Sequence, residues 1–141
     1  MTSKAARALV GENLIRNVLI TNGVASAACS LLLLAVPERI SDLTGLESLA
    51  ALRETGLALL VFAGFLIWAA TRSVVSPRIV LAFAVIDDLW VIGSAIVLGE
   101  SGSAYTLTEF GTLAVILVAV ADALFAAFET SYYWRNRLSG K

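Results

Sequence analysis

Four apolar runs, each close to twenty residues, constrain this chain more than any other feature. They are "NVLITNGVASAACSLLLLAV" (17–36), "TGLALLVFAGFLIWAA" (55–70, extended backwards through "LESLAAL"), "IVLAFAVIDDLWVIGSAIVL" (79–98) and "FGTLAVILVAVADALFAAFET" (110–130). About 20 residues of α-helix cross the hydrocarbon core of a bilayer. None of the runs alternates with period 2, and all are too long for ordinary strands. The expected fold is therefore all-α: an integral membrane four-helix bundle, up-down-up-down, forming one domain over 1–141. The helices are expected at approximately 12–36, 45–71, 78–98 and 109–132. The first run starts late, is long and is followed by three more, so it reads as a retained span rather than a cleaved leader.

Composition agrees with that class. The 141 residues are 59% hydrophobic and 15% charged, whereas soluble domains carry about 25% charged residues. A net charge of −1 gives no basic excess for nucleic acid, so none is expected as a partner. Histidine is absent and Cys29 is the one cysteine. The commonest metal ligand, the commonest general base and a Cys pair are thus missing together. No metal and no cofactor is expected.

The basic residues set the expected orientation. Lys4, Arg7 and Arg16 precede the first run, Arg72 and Arg78 flank the link between the second and third, and Arg135, Arg137 and Lys141 follow the fourth. Only Arg39 and Arg53 fall on the other side, among Glu38, Asp42, Glu47, Glu54, Glu100 and Glu109. The positive-inside rule puts both termini in the cytoplasm, and four spans let both termini share a side. A bacterial-type inner (plasma) membrane suits the short loops and the Ala-, Leu- and Val-rich runs. Trp68, Tyr132, Tyr133 and Trp134 fall where an aromatic belt on the cytoplasmic side would. In the longest loop, Pro37 ends the first helix. Thr44 and Glu47 form a capping-box pattern that predicts the start of the second helix near Gly45, with a short interfacial turn before it. "ETGLALLVFA" and "EFGTLAVILVA" share Glu-x-Gly at their outer ends, a sign of hairpin duplication.

Three carboxylates lie inside the runs. At about 1.5 Å per residue, Asp87, Asp88 and Asp122 all fall near the bilayer midplane. An aspartate there costs about 2.5–3.5 kcal/mol on an insertion scale, so these acids should face inward. Asp87 shares a face with Trp90, Val91 and Ser94. Asp88 is rotated by about 100° toward Ala84 and Ala95, which makes Asp87 the expected inward residue. Asn22, Ser26, Cys29 and Ser30 form one polar stripe on the first helix. Gly111, Val115, Val118, Asp122 and Glu129 form a stripe on the fourth. The candidate polar-core or proton/cation site is Asp87, Asp88, Asp122, Asn22, Ser26 and Ser94. Arg53 and Arg16 are candidate ligands for lipid phosphate, or counter-ions reaching in from either side.

Two functions fit these residues, and the first leads. One is a non-enzymatic accessory or scaffold component of the membrane, alone with lipid, as a homo-oligomer or in a larger complex, whose buried carboxylates set helix packing. The other is a small proton-coupled transporter or proton pathway using the midplane acids. A lipid- or quinone-directed membrane enzyme ranks last, because no nucleophile–base pair or metal cluster is visible, and no enzyme activity is expected. The hydropathy outline resembles that of the DoxX-like group and of the small multidrug transporters. The latter carry a key glutamate in the middle of their first helix, where this chain has Asn22 and Ser26, so no residue is carried over.

Overall fold

The computed structural model describes residues 3–139; Lys141, counted above among the cytoplasmic charges, lies outside the described residues. The described residues form five helices: α1 (Ser3–Ala35), α2 (Pro37–Thr44), α3 (Leu49–Ala70), α4 (Pro77–Gly99) and α5 (Glu109–Ser139). Four of them hold segments long and apolar enough to cross a membrane: Leu9–Ala35, Leu49–Ala70, Pro77–Gly99 and Glu109–Arg137. The chain is thus an all-α protein with the spans of a multi-pass membrane protein. Large apolar side chains such as Val61, Phe65, Ile92, Ile96, Leu117 and Leu124 are exposed on α3, α4 and α5, as lipid-facing residues are.

The loop after α1 departs from expectation. Thr44 does not cap a helix that begins near Gly45. It is the last residue of α2, and its hydroxyl donates back to the Ile40 carbonyl. Pro37 occupies the first turn of α2, where its missing N–H is harmless. Gly45 then closes α2 in the left-handed conformation (φ 80°), its N–H on the Ser41 carbonyl at 2.8 Å, a conformation that suits glycine alone among ordinary residues. The chain needs a few more residues to turn, and Ser48 is the cap of α3, its side chain accepting from the Ala51 N–H. The bundle therefore has a short fifth helix, and α3 is shorter than the span expected from 45. At the other extreme, α1 begins by Ser3 rather than near 12, and α5 runs on to Ser139 rather than stopping near 132.

Helix α1 packs along α3, and α4 along α5; α2 touches α1, α3 and α5. The two ends are fastened differently. At the α2 end, the Thr108 N–H donates to the Thr44 carbonyl at 3.0 Å and the Thr108 hydroxyl donates to the Leu43 carbonyl. That hydroxyl also accepts from the Gly111 N–H, capping α5. A Cβ on Gly111 would stand 2.1 Å from the Thr44 carbonyl oxygen, so only glycine lets these backbones meet. At the opposite end, Ile15, Leu19, Phe62, Leu66, Ala69, Ala70, Val75, Val80 and Phe83 form the apolar core. Phe62 and Phe83 meet edge to face at 5.9 Å. Arg72 lies over the Trp68 ring at 4.3 Å, and Arg137 over Trp134 at 5.4 Å.

Candidate functional site

A bundle in lipid is apolar outside and must satisfy its polar groups inside. Here Asn22, Ser26, Ser30, Asp87 and Glu129 are all buried. On α1, Asn22, Ser26, Cys29 and Ser30 recur at three to four residues, so they share one face. Asn22 reaches across to α4: its Nδ2 donates to Asp87 Oδ2 at 2.7 Å, with Asn22 1% and Asp87 0% exposed. The Ser26 hydroxyl donates to Asn22 Oδ1 at 3.3 Å and so holds the amide with its NH₂ toward the acid. One turn further, the Ser30 hydroxyl donates to the Gly56 carbonyl of α3 at 2.7 Å.

The third member is a residue that the sequence reading left out of the site. Glu129 of α5 is 0% exposed and lies within the electrostatic field of Asp87, beside Asn22. Among the described residues, neither Glu129 Oε1 nor Oε2 has a hydrogen-bond partner, and neither does Asp87 Oδ1. No described ion pair includes either acid. Glu129 had a signal: it stands seven residues, or two turns, after Asp122 on the same stripe. Helix α5 continues for ten residues beyond it, which places its carboxyl inside the bundle.

The other expected members divide. Asp122 is half-buried, within electrostatic reach of Asp87 and of Cys29, with no hydrogen bond among the described residues. Asp88 is exposed, on the outer face of α4, and does not join the cluster. The 100° turn between neighbouring helical residues separates it from Asp87. Ser94 is half-buried and makes no hydrogen bond among the described residues. It lies seven residues, about 10 Å, along α4 from Asp87 and outside the cluster.

Neither arginine is a counter-ion to the buried acids. Arg16 spans the C-terminus of α3 instead. Its Nη1 donates to the Ala70 and Arg72 carbonyls, each at 2.6 Å, and its Nη2 to the Ser73 carbonyl at 2.9 Å and to Glu12 Oε1 at 2.7 Å. The last carbonyls of a helix lack intrahelical donors and carry the negative end of its dipole, so a guanidinium fits there. Arg53 pairs with Glu38 of α2 at 3.0 Å on the exposed surface. Tyr132 stands beside Glu12 and Arg16, its hydroxyl donating to the Val75 carbonyl at 3.2 Å.

The arrangement is a polar column. Glu12 and Arg16 stand by Tyr132, Asn22 and Asp87 by Glu129, and Cys29 by Asp122. Among the described residues, no three Asp, Glu or Cys side chains gather as a bound metal ion would need. Two carboxyl groups around one amide can share or exchange a proton. No family model matches this chain, and no curated protein or solved structure shows similarity to it.

Proposed function

We propose that this chain is a small non-enzymatic multi-pass protein of a bacterial-type plasma membrane, both termini cytoplasmic and spans up-down-up-down, that takes up and releases a proton at Asp87 and Glu129. It serves as a proton pathway or a proton-coupled carrier. One observation carries the reading: three carboxylate oxygens, Asp87 Oδ1 and both of Glu129, are buried around a single amide, that of Asn22, with no well-formed hydrogen bond to any of them among the described residues. A buried network kept only for stability tends to be fully satisfied, and its orphans call for a role. An acid that binds a proton there gains both a donor and neutrality. The test is proton flux in liposomes holding the purified protein under an imposed pH gradient. Asp87→Asn and Glu129→Gln keep the shape and remove the titration. Loss of flux in both supports the reading; wild-type liposomes no leakier than empty ones overturn it.

A second reading is favoured by one contact. The Asn22–Asp87 bond ties α1 to α4, and such bonds hold helices together in lipid. On this reading the protein is an accessory or scaffold subunit of an oligomer or larger membrane complex. Exposed Asp88 on α4 supports such association. The same variants separate the two: in a scaffold, Asp87→Asn leaves assembly and all cellular function intact.

A further inference from the structure

The column is not equally open at its two ends. Toward α2 it stops at Cys29, Asp122 and Ser30, the last tied to the Gly56 carbonyl. Beyond Ser30, α1 and α3 close on each other: a Cβ on Gly56 would stand 2.9 Å from Leu34 Cγ and 3.1 Å from Leu33 Cβ. The backbone clasp of Thr44, Thr108 and Gly111 lies further out. Toward the other end the column continues through half-buried Tyr132 to Glu12 and Arg16, which are partly exposed. What lies over it there is the six-residue link Thr71–Ser76 between α3 and α4. That link is held by the Val75 side chain, buried in the apolar core, by the Thr71 and Arg72 N–H groups on the Ile67 and Ala69 carbonyls, and by side-chain bonds from Arg16 to the Ala70, Arg72 and Ser73 carbonyls and from Tyr132 to the Val75 carbonyl.

We infer that Glu129 and Asp87 exchange protons with one side of the membrane only, through a gate at the Arg16 end formed by Tyr132 and the Thr71–Ser76 link, while the α2 end stays sealed. The inference rests on the proton-binding reading above. Tyr132 sits one helical turn beyond Glu129 on α5, between it and the Glu12–Arg16 pair. Its hydroxyl is tethered to the moving part of the gate through Val75. When the tether and the arginine strap let go, water reaches Glu129. A proton delivered as hydronium leaves water behind and forms the carboxylic acid, and release is the reverse.

The charged and titratable groups around Glu129 are few. Helix α1 brings Glu12 and Arg16 near Tyr132, and the neutral Asn22. Helix α4 brings Asp87, and α5 itself brings Tyr132 and, two turns away, Asp122. At this end α3 buries only Phe62, Ala63, Leu66, Ala69 and Ala70.

The test uses the full chain in sealed liposomes of known orientation. The pH is stepped on one side while the other is buffered, and the infrared carboxyl C=O band is followed in time. The band is assigned by its loss in Glu129→Gln and Asp87→Asn. A step on the Arg16 side should change it, and the same step on the α2 side should not. Tyr132→Phe, which keeps the ring and removes the tether, should speed the change by roughly five- to tenfold, the weight of one hydrogen bond. Arg16→Lys, which keeps the charge and loses the three-carbonyl strap, should speed it as well. Equal response to both sides, or unchanged or slower kinetics in both variants, overturns the gate while leaving proton binding in place. A wild-type protein with no titrating carboxyl band overturns proton binding, and the gate with it.

Discussion

The two ends of this bundle solve the same problem in different materials. At the α2 end, the Thr108 N–H and hydroxyl reach the Thr44 and Leu43 carbonyls, and Gly45 and Gly111 meet backbone so closely that neither has room for a Cβ. At the Arg16 end, an apolar core lies under a loop that long side chains strap down. Backbone contacts at glycine distance cannot loosen by a rotamer change. An arginine and a tyrosine can let go by rotating a few bonds. The buried acids lie nearer the end that can let go.

Substitutions can break or sharpen this contrast. The largest effect should come from Gly111→Val. Its branched side chain cannot share space with the Thr44 carbonyl, and overpacking of this kind costs about 1–3 kcal/mol or more. Unfolding followed in mixed detergent micelles should show a large loss of stability. A Gly111→Val protein as stable as the parent would remove the clasp. Arg16→Ala follows: it withdraws charged hydrogen bonds from three carbonyls and should destabilise by about 2–3 kcal/mol. Proteolysis of intact vesicles should then cut within Thr71–Ser76, and unchanged protection there would count against the strap.

Asn22→Leu should cost about 1–2 kcal/mol in the same unfolding experiment, since it leaves Asp87 without its donor in lipid-like surroundings. Glu129→Met is expected to go the other way. It replaces a buried carboxyl that has no described partner with an apolar chain of similar length, and should stabilise by about 1 kcal/mol. A clear loss of stability would mean that Glu129 serves as glue. Arg53→Ala should be the smallest effect, within about 0.5 kcal/mol of zero. Its pair with Glu38 is exposed, and such pairs contribute little.

Much of this architecture was legible in the chain. Apolar length alone located four helices long and apolar enough to cross a membrane, because about twenty such residues match the thickness of its hydrocarbon core. The helical period assigned Asp87 to the inside and put Asp88 a third of a turn away, and the structure buries the first and exposes the second. What was not legible depended on partners distant in sequence. Thr44 reads as a cap from its neighbours. Whether it starts one helix or finishes another is decided by Gly45 turning left-handed against Thr106 and by Thr44 meeting Gly111, each more than sixty residues away. Arg16 reads as a candidate ligand for lipid phosphate or a counter-ion, and the structure pairs it with half-buried Glu12. Nothing local says that it also grips the end of α3, whose carbonyls lie more than fifty residues away. Glu129 shares the stripe of Asp122 by its spacing, but its burial beside Asp87 depends on how α5 packs on α4.

The adjacent acids of α4 also bear on how the protein is made. On an insertion scale, two central aspartates oppose membrane insertion by about 5–7 kcal/mol, and the twelve Leu, Ile, Val and Phe residues of α4 return about 4–7 kcal/mol. Taken alone, α4 is poised near the threshold for entering the bilayer. Its deficit shrinks only when Asp87 meets the amide of Asn22. Helix α1 is synthesised first, so that amide is already waiting in the membrane when α4 emerges from the ribosome. The order of the helices along the chain is therefore an assembly instruction: a rearranged gene that placed α1 last would ask α4 to enter with its acid unpaired.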